Sequence, residues 1–212
     1  MPAAAKICGL TRPEDFSVTA DAGARYAGLV FFPKSPRNVS VGDAAALAAQ
    51  APDGLAKVGL FVDPDDTLLD EVTRHVTLDI IQLHGKETPE RVAEVKARTA
   101  LPVMKAVGIS GADDLDRLWN YGLVADLLLV DAKPAPDAAL PGGNGLSFDW
   151  RLLVGRRFLK PWMLAGGLTP DNVAEAVRLT GAQAVDVSSG VESAPGVKDP
   201  DLIRRFVKAA AE

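Results

Sequence analysis

Lys6-Ile7-Cys8-Gly9-Leu10-Thr11 decides how the chain is to be read. A short apolar run ends in a cysteine and a glycine turn. The residues after Thr11 have helical character, with Pro13 at an early helical position and Glu14 spaced as the acid of a capping box opened by Thr11. A strand entering such a turn presents its last side chains at its C-terminal edge. The turn lacks the G-x-G-x-x-G spacing with which an open, doubly wound sheet grips a dinucleotide. It carries instead the only cysteine in 212 residues.

Working outward, the same unit repeats. Apolar runs at 4–8, 25–32, 57–62, 79–84, 102–107, 126–131, 161–165 and 183–188 read as strands. Several are almost unbroken, as in Tyr26–Phe32 and Leu127–Val130, which is the pattern of strands buried on both faces. Helical segments fit between them. One follows Thr11, and others are expected at Val41–Ala51, Asp65–His75, Thr88 to about Arg98, Ala112–Tyr121, 171–180 and 201–210. Thr88-Pro89, Thr169-Pro170 and Asp199-Pro200 each repeat a cap-then-proline start. After the sixth strand only a short segment, Trp150–Val154, is available. Repeated βα units point to a single α/β domain over residues 1–212, a (β/α)8 TIM barrel with a parallel eight-stranded barrel and outer helices. The Pro- and Gly-rich stretch 132–147 is long for a compact domain, and such loops tend to be functional.

Composition narrows the function. A net charge of −5 leaves no basic excess for nucleic acid or an anionic membrane surface. No apolar run approaches the roughly 18–20 residues that span a bilayer, and the first residues do not read as a secretion signal. A single thiol suits a reducing compartment, so a cytoplasmic protein is expected. His75, His84 and Cys8 show no metal-ligand spacing, so no metal is expected.

A barrel places its chemistry just past the strand C-termini. Those positions hold Cys8, Arg37, Asp63, His84, Asp131, the pair Gly166-Gly167, and Asp186, Ser188 and Ser189. Three glycine-rich turns, Gly142–Gly145, Ala165–Leu168 and Ser188–Gly190, follow strands six, seven and eight, where barrels often hold a phosphate through converging N–H groups. Cys8 and Asp131 are the candidates for proton transfer. A thiol needs only a modest downward shift to act as a base near neutrality, whereas an aspartic acid must be kept protonated to act as an acid. Each also has an ordinary reading: Cys8 as a small buried hydrophobe, Asp131 as a loop cap, Arg37 as a surface cation and His84 as a backbone partner. A fixed guanidinium at Arg37 would suit a substrate carboxylate.

With these residues placed, the chain resembles the phosphoribosylanthranilate isomerase family of tryptophan biosynthesis. The resemblance runs through KICGLTRPED (6–15), GLVFFPKSPRNV (28–39), VGLFVDP (58–64), IQLHG (81–85), LLVDA (128–132), GGNGLSFDW (142–150), LAGGLTPDNV (164–173) and VDVSSGVE (185–192). Asn144 departs from the threonine more usual in the family's GGTG loop. The resemblance implies an Amadori rearrangement of an aldosamine to a ketosamine with no cofactor. It implies Cys8 as general base and Asp131 as general acid. Arg37 would face the anthranilate carboxylate, and His84 and Asp186 would line the same pocket. Gly145, Gly166, Gly167, Ser188 and Ser189 would bind the phosphate. The expected partner is this small-molecule substrate, with no nucleic acid and no membrane, in a monomer or homodimer. Two rivals stand beside this reading. One is another sugar-phosphate-binding barrel, such as a ring-closing synthase using strand-end lysines, of which Lys105 would be one. The other is a non-catalytic phosphate-ligand binding barrel.

Overall fold

The structure is a computed structural model and describes residues 2–133, 140, 142–143 and 145–212. Eight parallel strands close on themselves in sequence order. They are β1 (Ala4–Cys8), β2 (Tyr26–Phe31), β3 (Ala56–Phe61), β4 (Ile80–Leu83), β5 (Val103–Ile109), β6 (Leu127–Ala132), β7 (Trp162–Leu164) and β8 (Ala184–Val187). The seam pairs β1 with β8, Lys6 standing opposite Asp186. This is the (β/α)8 barrel expected from the unbroken apolar runs.

Strand alternation divides these runs into two faces. Ile7, Leu29, Phe31, Phe61, Ile81, Leu83, Val103, Val107, Leu128, Val130, Leu164 and Val185 point outward into the layer under the helices. Val58, Ile80, Met104, Ala106, Leu129, Met163 and Ala165 fill the lumen. Above them Cys8, Val30 and Leu60 form a further apolar cluster, with Phe32 and Val62 packed on it. Lys6, Gln82, Asp131 and Asp186 are buried on strand positions that alternate with the outward-facing ones. Lys105 shares the outward face of β5 with Val103 and Val107, so it points toward the helices.

The helices are α1 (Pro13–Asp21), α2 (Val41–Ala49), α3 (Asp66–His75), α4 (Pro89–Thr99), α5 (Asp116–Gly122), α6 (Val173–Thr180) and α7 (Pro200–Ala210). Ser40, Asp65, Thr88 and Asp199 cap α2, α3, α4 and α7 by accepting hydrogen bonds from first-turn N–H groups. On α3, Leu69 and Val72 are fully buried while the acids and Arg74 face out.

Three helix starts differ from the sequence reading. No Thr11–Glu14 capping box forms: Arg12 occupies the N-cap without a side-chain cap, and its guanidinium instead grips the buried Asp15 at 2.7 and 3.1 Å. The Thr169-Pro170 signature opens a turn rather than the helix itself. Asn172 accepts from the Thr169 N–H and donates to the Gly167 carbonyl, and α6 begins only at Val173. The segment at 112–121 splits into a 3-10 turn, Ala112–Asp114, followed by α5. After β6 the short segment Trp150–Leu153 is a 3-10 turn, in keeping with the few residues available there. One element has no counterpart in the sequence reading. A small antiparallel hairpin, β9 (Glu192–Ala194) and β10 (Val197–Lys198), stands between β8 and α7.

Candidate active site

A pocket opens at the C-terminal ends of the barrel strands. It is lined by all of the expected site residues: Cys8, Arg37, His84, Asp131, Gly145, Gly166, Gly167, Asp186, Ser188 and Ser189. Asp63 is set back from it. The Asp63 backbone is left-handed at φ 46°, its carboxylate accepts from the Lys86 N–H, and its own N–H is taken by Glu87. Asn144 lies outside the described residues, as do residues 134–139 and 141.

Cys8 ends β1 two residues after Lys6, so both side chains lie on one face of the strand. Lys6 Nζ is fully buried and donates to Asp186 Oδ1 at 2.8 Å. The thiol packs against Gly28, directly opposite it in register. A methyl group there would stand 2.9 Å from the sulfur. Burial pushes the Cys8 thiol above its ordinary value, although the ammonium groups of Lys6 and Lys198 pull it down and Asp186 adds to the rise. This sign is opposite to the downward shift sought from the sequence. The reason is the apolar enclosure by Val30 and Leu60. Burial also works against the charged form of Lys6, yet the negative neighbours Asp186 and Cys8 outweigh it and hold the ammonium above the usual lysine value.

Asp131 closes β6 on the other side of the mouth. Its Oδ1 accepts from the Ala132 N–H at 2.7 Å, and its Oδ2 lies 3.2 Å from His84 Nε2. The other ring nitrogen of His84 meets Gln82 Nε2 at 2.9 Å. Gln82, His84 and Asp131 therefore form one chain running from the lumen to the mouth.

The glycine turns line the mouth beside Asp131. Gly145, Gly166 and Gly167 all have left-handed φ angles of 69°, 88° and 64°. At Gly166 a side chain would also strike the Ala132 N–H, so glycine is required there on both counts. Among the described residues no acceptor takes the N–H of Gly166 or Gly167. Gly166 and Gly167 line the same pocket as Ser188 and Ser189.

Arg37 is buried, on the loop after β2. Its Nε and Nη2 donate to the two oxygens of Glu192 at 2.7 and 2.8 Å, and Nη2 also reaches the Gly143 carbonyl at 3.4 Å. Glu192 comes from the hairpin and is bonded in turn by Lys198 Nζ at 2.7 Å. Lys198 also donates to the Ser188 carbonyl, and the Ser188 hydroxyl donates to the Cys8 carbonyl.

The sequence reading missed Lys6, Gln82, Glu192 and Lys198, and the apolar wall of Val30, Phe32, Leu60 and Val62. The spacing of two that links Lys6 to Cys8 and Gln82 to His84 could have shown the first pair. Glu192 ends the motif VDVSSGVE, but nothing in the sequence ties it to Arg37, and nothing marks Lys198. Among the described residues no group of acids, histidines and cysteine is placed to hold a metal ion.

Fold and pocket together define a (β/α)8 barrel with a thiol, a carboxylate, a guanidinium and glycine turns lining one pocket at its mouth. The model of the N-(5'-phosphoribosyl)anthranilate isomerase family matches residues 5–209. A relative from Paracoccus denitrificans, described as N-(5'-phosphoribosyl)anthranilate isomerase, is 70% identical over 99% of this chain and 98% of its own. The crystal structure of the phosphoribosylanthranilate isomerase of Thermotoga maritima superposes with a TM-score of 0.88 at 38% identity, covering 98% of both chains. A structure of such an isomerase in complex with reduced 1-(o-carboxyphenylamino)-1-deoxyribulose 5-phosphate gives 0.85 at 37% identity, again over 98% of both chains. The chain belongs to the N-(5'-phosphoribosyl)anthranilate isomerase family.

Proposed function

We propose that this chain converts N-(5-phosphoribosyl)anthranilate to 1-(2-carboxyphenylamino)-1-deoxyribulose 5-phosphate by general acid/base catalysis, a step of tryptophan biosynthesis. The observation that carries the reading is that Cys8, Asp131, Arg37 and the glycine and serine turns, read here as an anion cradle, line one pocket. A substrate with a phosphate at one end and an aryl carboxylate at the other has a partner for each of these groups. Gly145, Gly166, Gly167, Ser188 and Ser189 take the phosphate. Arg37 takes the carboxylate, and Val30, Phe32, Leu60 and Val62 receive the aromatic ring.

Asp131 gives its proton to the furanose ring oxygen as the C1′–O bond breaks, helped by the lone pair of the anthranilate nitrogen. The product of this step is a Schiff base. The thiolate of Cys8 removes the C2′ proton, and the electron pair forms the C1′=C2′ bond of an enolamine. Loss of the 2′-hydroxyl proton and protonation at C1′ then give the ketone. His84 steadies the Asp131 carboxyl, and Asp186 holds Lys6 beneath the thiol. Each proton transfer contributes about 10²–10⁴-fold, and fixing the substrate adds to this. The reaction needs no cofactor.

The synthase reading loses support because Lys105 faces the helices. It is 1% exposed and donates to Glu87 at 2.8 Å and to the carbonyls of Leu83 and Gly85. Among the described residues no helix is long and apolar enough to cross a membrane. The reading takes residues 1–212 as one catalytic domain acting in the cytoplasm, supported by the closed barrel and the lone free thiol.

The test is the purified protein with freshly made phosphoribosylanthranilate, following loss of substrate fluorescence. Turnover that collapses in Cys8→Ala while a reduced product analogue still binds supports the assignment. No fluorescence change above a buffer control would refute it.

A further inference from the structure

Arginine offers a carboxylate two bidentate edges, one side-on through Nε and Nη2 and one end-on through Nη1 and Nη2. Glu192 occupies the side-on edge of Arg37 with both oxygens, at 2.7 and 2.8 Å. On the end-on edge Nη1 makes no hydrogen bond among the described residues and lies beside Gly143, where a side chain would stand 2.7 Å from it, and Nη2 makes only a long 3.4 Å contact with the Gly143 carbonyl. Glu192 is itself held from behind. Lys198 Nζ donates to Oε1 at 2.7 Å, and the Gly196 N–H donates to Oε2 at 3.2 Å. Lys198 is 2% exposed and also donates to the Ser188 carbonyl at 2.9 Å, while Arg12 holds its own carbonyl at 3.0 Å. Burial works against the charge on Glu192, but Arg37 and Lys198 outweigh it and keep the carboxylate ionised.

We propose that Glu192, seated on Lys198, is a positioning residue for substrate selectivity: it clamps Arg37 side-on so that the end-on edge faces an aryl carboxylate. This rests on the proposed role of Arg37 in the reaction above. A long flexible cation would otherwise have to be ordered by each substrate as it binds. The hairpin β9–β10 does that ordering in advance. A glutamate beside an anion-binding arginine would weaken the site if both carboxylates competed for the same donors. Because they use different edges, Glu192 orients Arg37 without blocking it.

The experiment compares two ligands on the intact protein. One is reduced 1-(2-carboxyphenylamino)-1-deoxyribulose 5-phosphate, and the other is the same compound made from aniline, which lacks the ring carboxylate. Their affinity ratio measures carboxylate recognition alone, and inorganic phosphate measures the cradle. A hydrogen bond to a charged group is worth about 1.5–3 kcal/mol, so Glu192→Ala should lower the ratio about tenfold to a hundredfold while phosphate affinity stays within about twofold. Glu192→Gln, which keeps one good acceptor, should recover part of the ratio. Lys198→Met should lower it in the same sense. In an Arg37→Ala background Glu192→Ala should add nothing. A ratio that falls in Arg37→Ala but holds in a folded Glu192→Ala overturns the role of Glu192 alone, as does an equal loss for both ligands. A ratio unchanged in Arg37→Ala removes Arg37 from carboxylate recognition and this proposal with it.

Discussion

Lys105 and Glu87 form an ion pair with each partner 1% exposed, beneath the loop that carries His84. Lys105→Met would leave the Glu87 carboxylate buried with only the N–H groups of Asp63 and Gly85 for company. Removing one partner of a buried pair is worth about 3–5 kcal/mol, and the surviving N–H bonds place this case toward the lower figure. For 212 residues the entropy of unfolding is about 0.45 kcal/mol per degree, so the melting temperature should fall by about 7–11 °C. The double variant Lys105→Met/Glu87→Gln removes both charges and keeps an oxygen for Asp63 and Gly85. It should recover at least about half of the loss, a coupling that a double-mutant cycle reads directly. Urea unfolding at pH 7 gives the free energies, and turnover per folded molecule gives the function. Because Lys105 faces α5, with its ammonium 5.4 Å from the Tyr121 ring, turnover should stay within about threefold of the parent. A stability loss under about 1 kcal/mol would refute the buried-pair argument. A thousandfold fall in turnover with stability intact would return Lys105 to the site and revive the synthase reading.

Three further outcomes follow from the geometry. The raised Cys8 thiol should be slow to react with maleimide at pH 7 and should quicken as pH rises above the ordinary thiol value, with phosphate protecting it; a rate already fast at pH 6 would contradict the enclosure. Gly28→Ala places a methyl against the Cys8 sulfur and should cost about 1–3 kcal/mol by overpacking, with kcat falling more than substrate affinity, measured by thermal melts and steady-state kinetics. Asp114, which is partly buried, has its carboxyl lowered to about 2: burial opposes this, but Lys133 and the Ser110 N–H and hydroxyl outweigh it. Its stabilisation is present above the unfolded value near 3.8 and lost as pH falls through about 2, so Asp114→Asn should be about 2 kcal/mol less stable at pH 7 and equal to the parent near pH 2 by urea titration.

The barrel was legible because its signal is local. Runs such as Leu127–Val130 are apolar at every position, which only a strand covered on both faces requires. The strand ends were legible for the same reason, so Cys8, Asp131 and the glycine turns fell in place. Helix starts were less so. Thr11 and Glu14 have the spacing of a cap, but Arg12 gains more from the buried Asp15 and from the Lys198 carbonyl, a partner 186 positions away. The Glu192 clamp was invisible for a related reason. The hairpin strands are three and two residues long, too short for periodicity, and they matter only because folding brings them to Arg37. The sign of the Cys8 shift was missed because enclosure by Val30 and Leu60 is a property of the lumen, and the alternation of strand faces was not followed into it.

The seam between β1 and β8 carries a consequence for how the molecule comes into being. Lys6 meets Asp186, and Ser188 meets the Cys8 carbonyl, each across 180 positions of chain. Arg37 meets Glu192 across 155. Closing loops of this length is slow, and it comes late for a chain that emerges from its N-terminus. Catalysis is therefore a clock for ring closure. In refolding, helical signal should return before turnover does, and the interval between them is the time the two ends take to find each other.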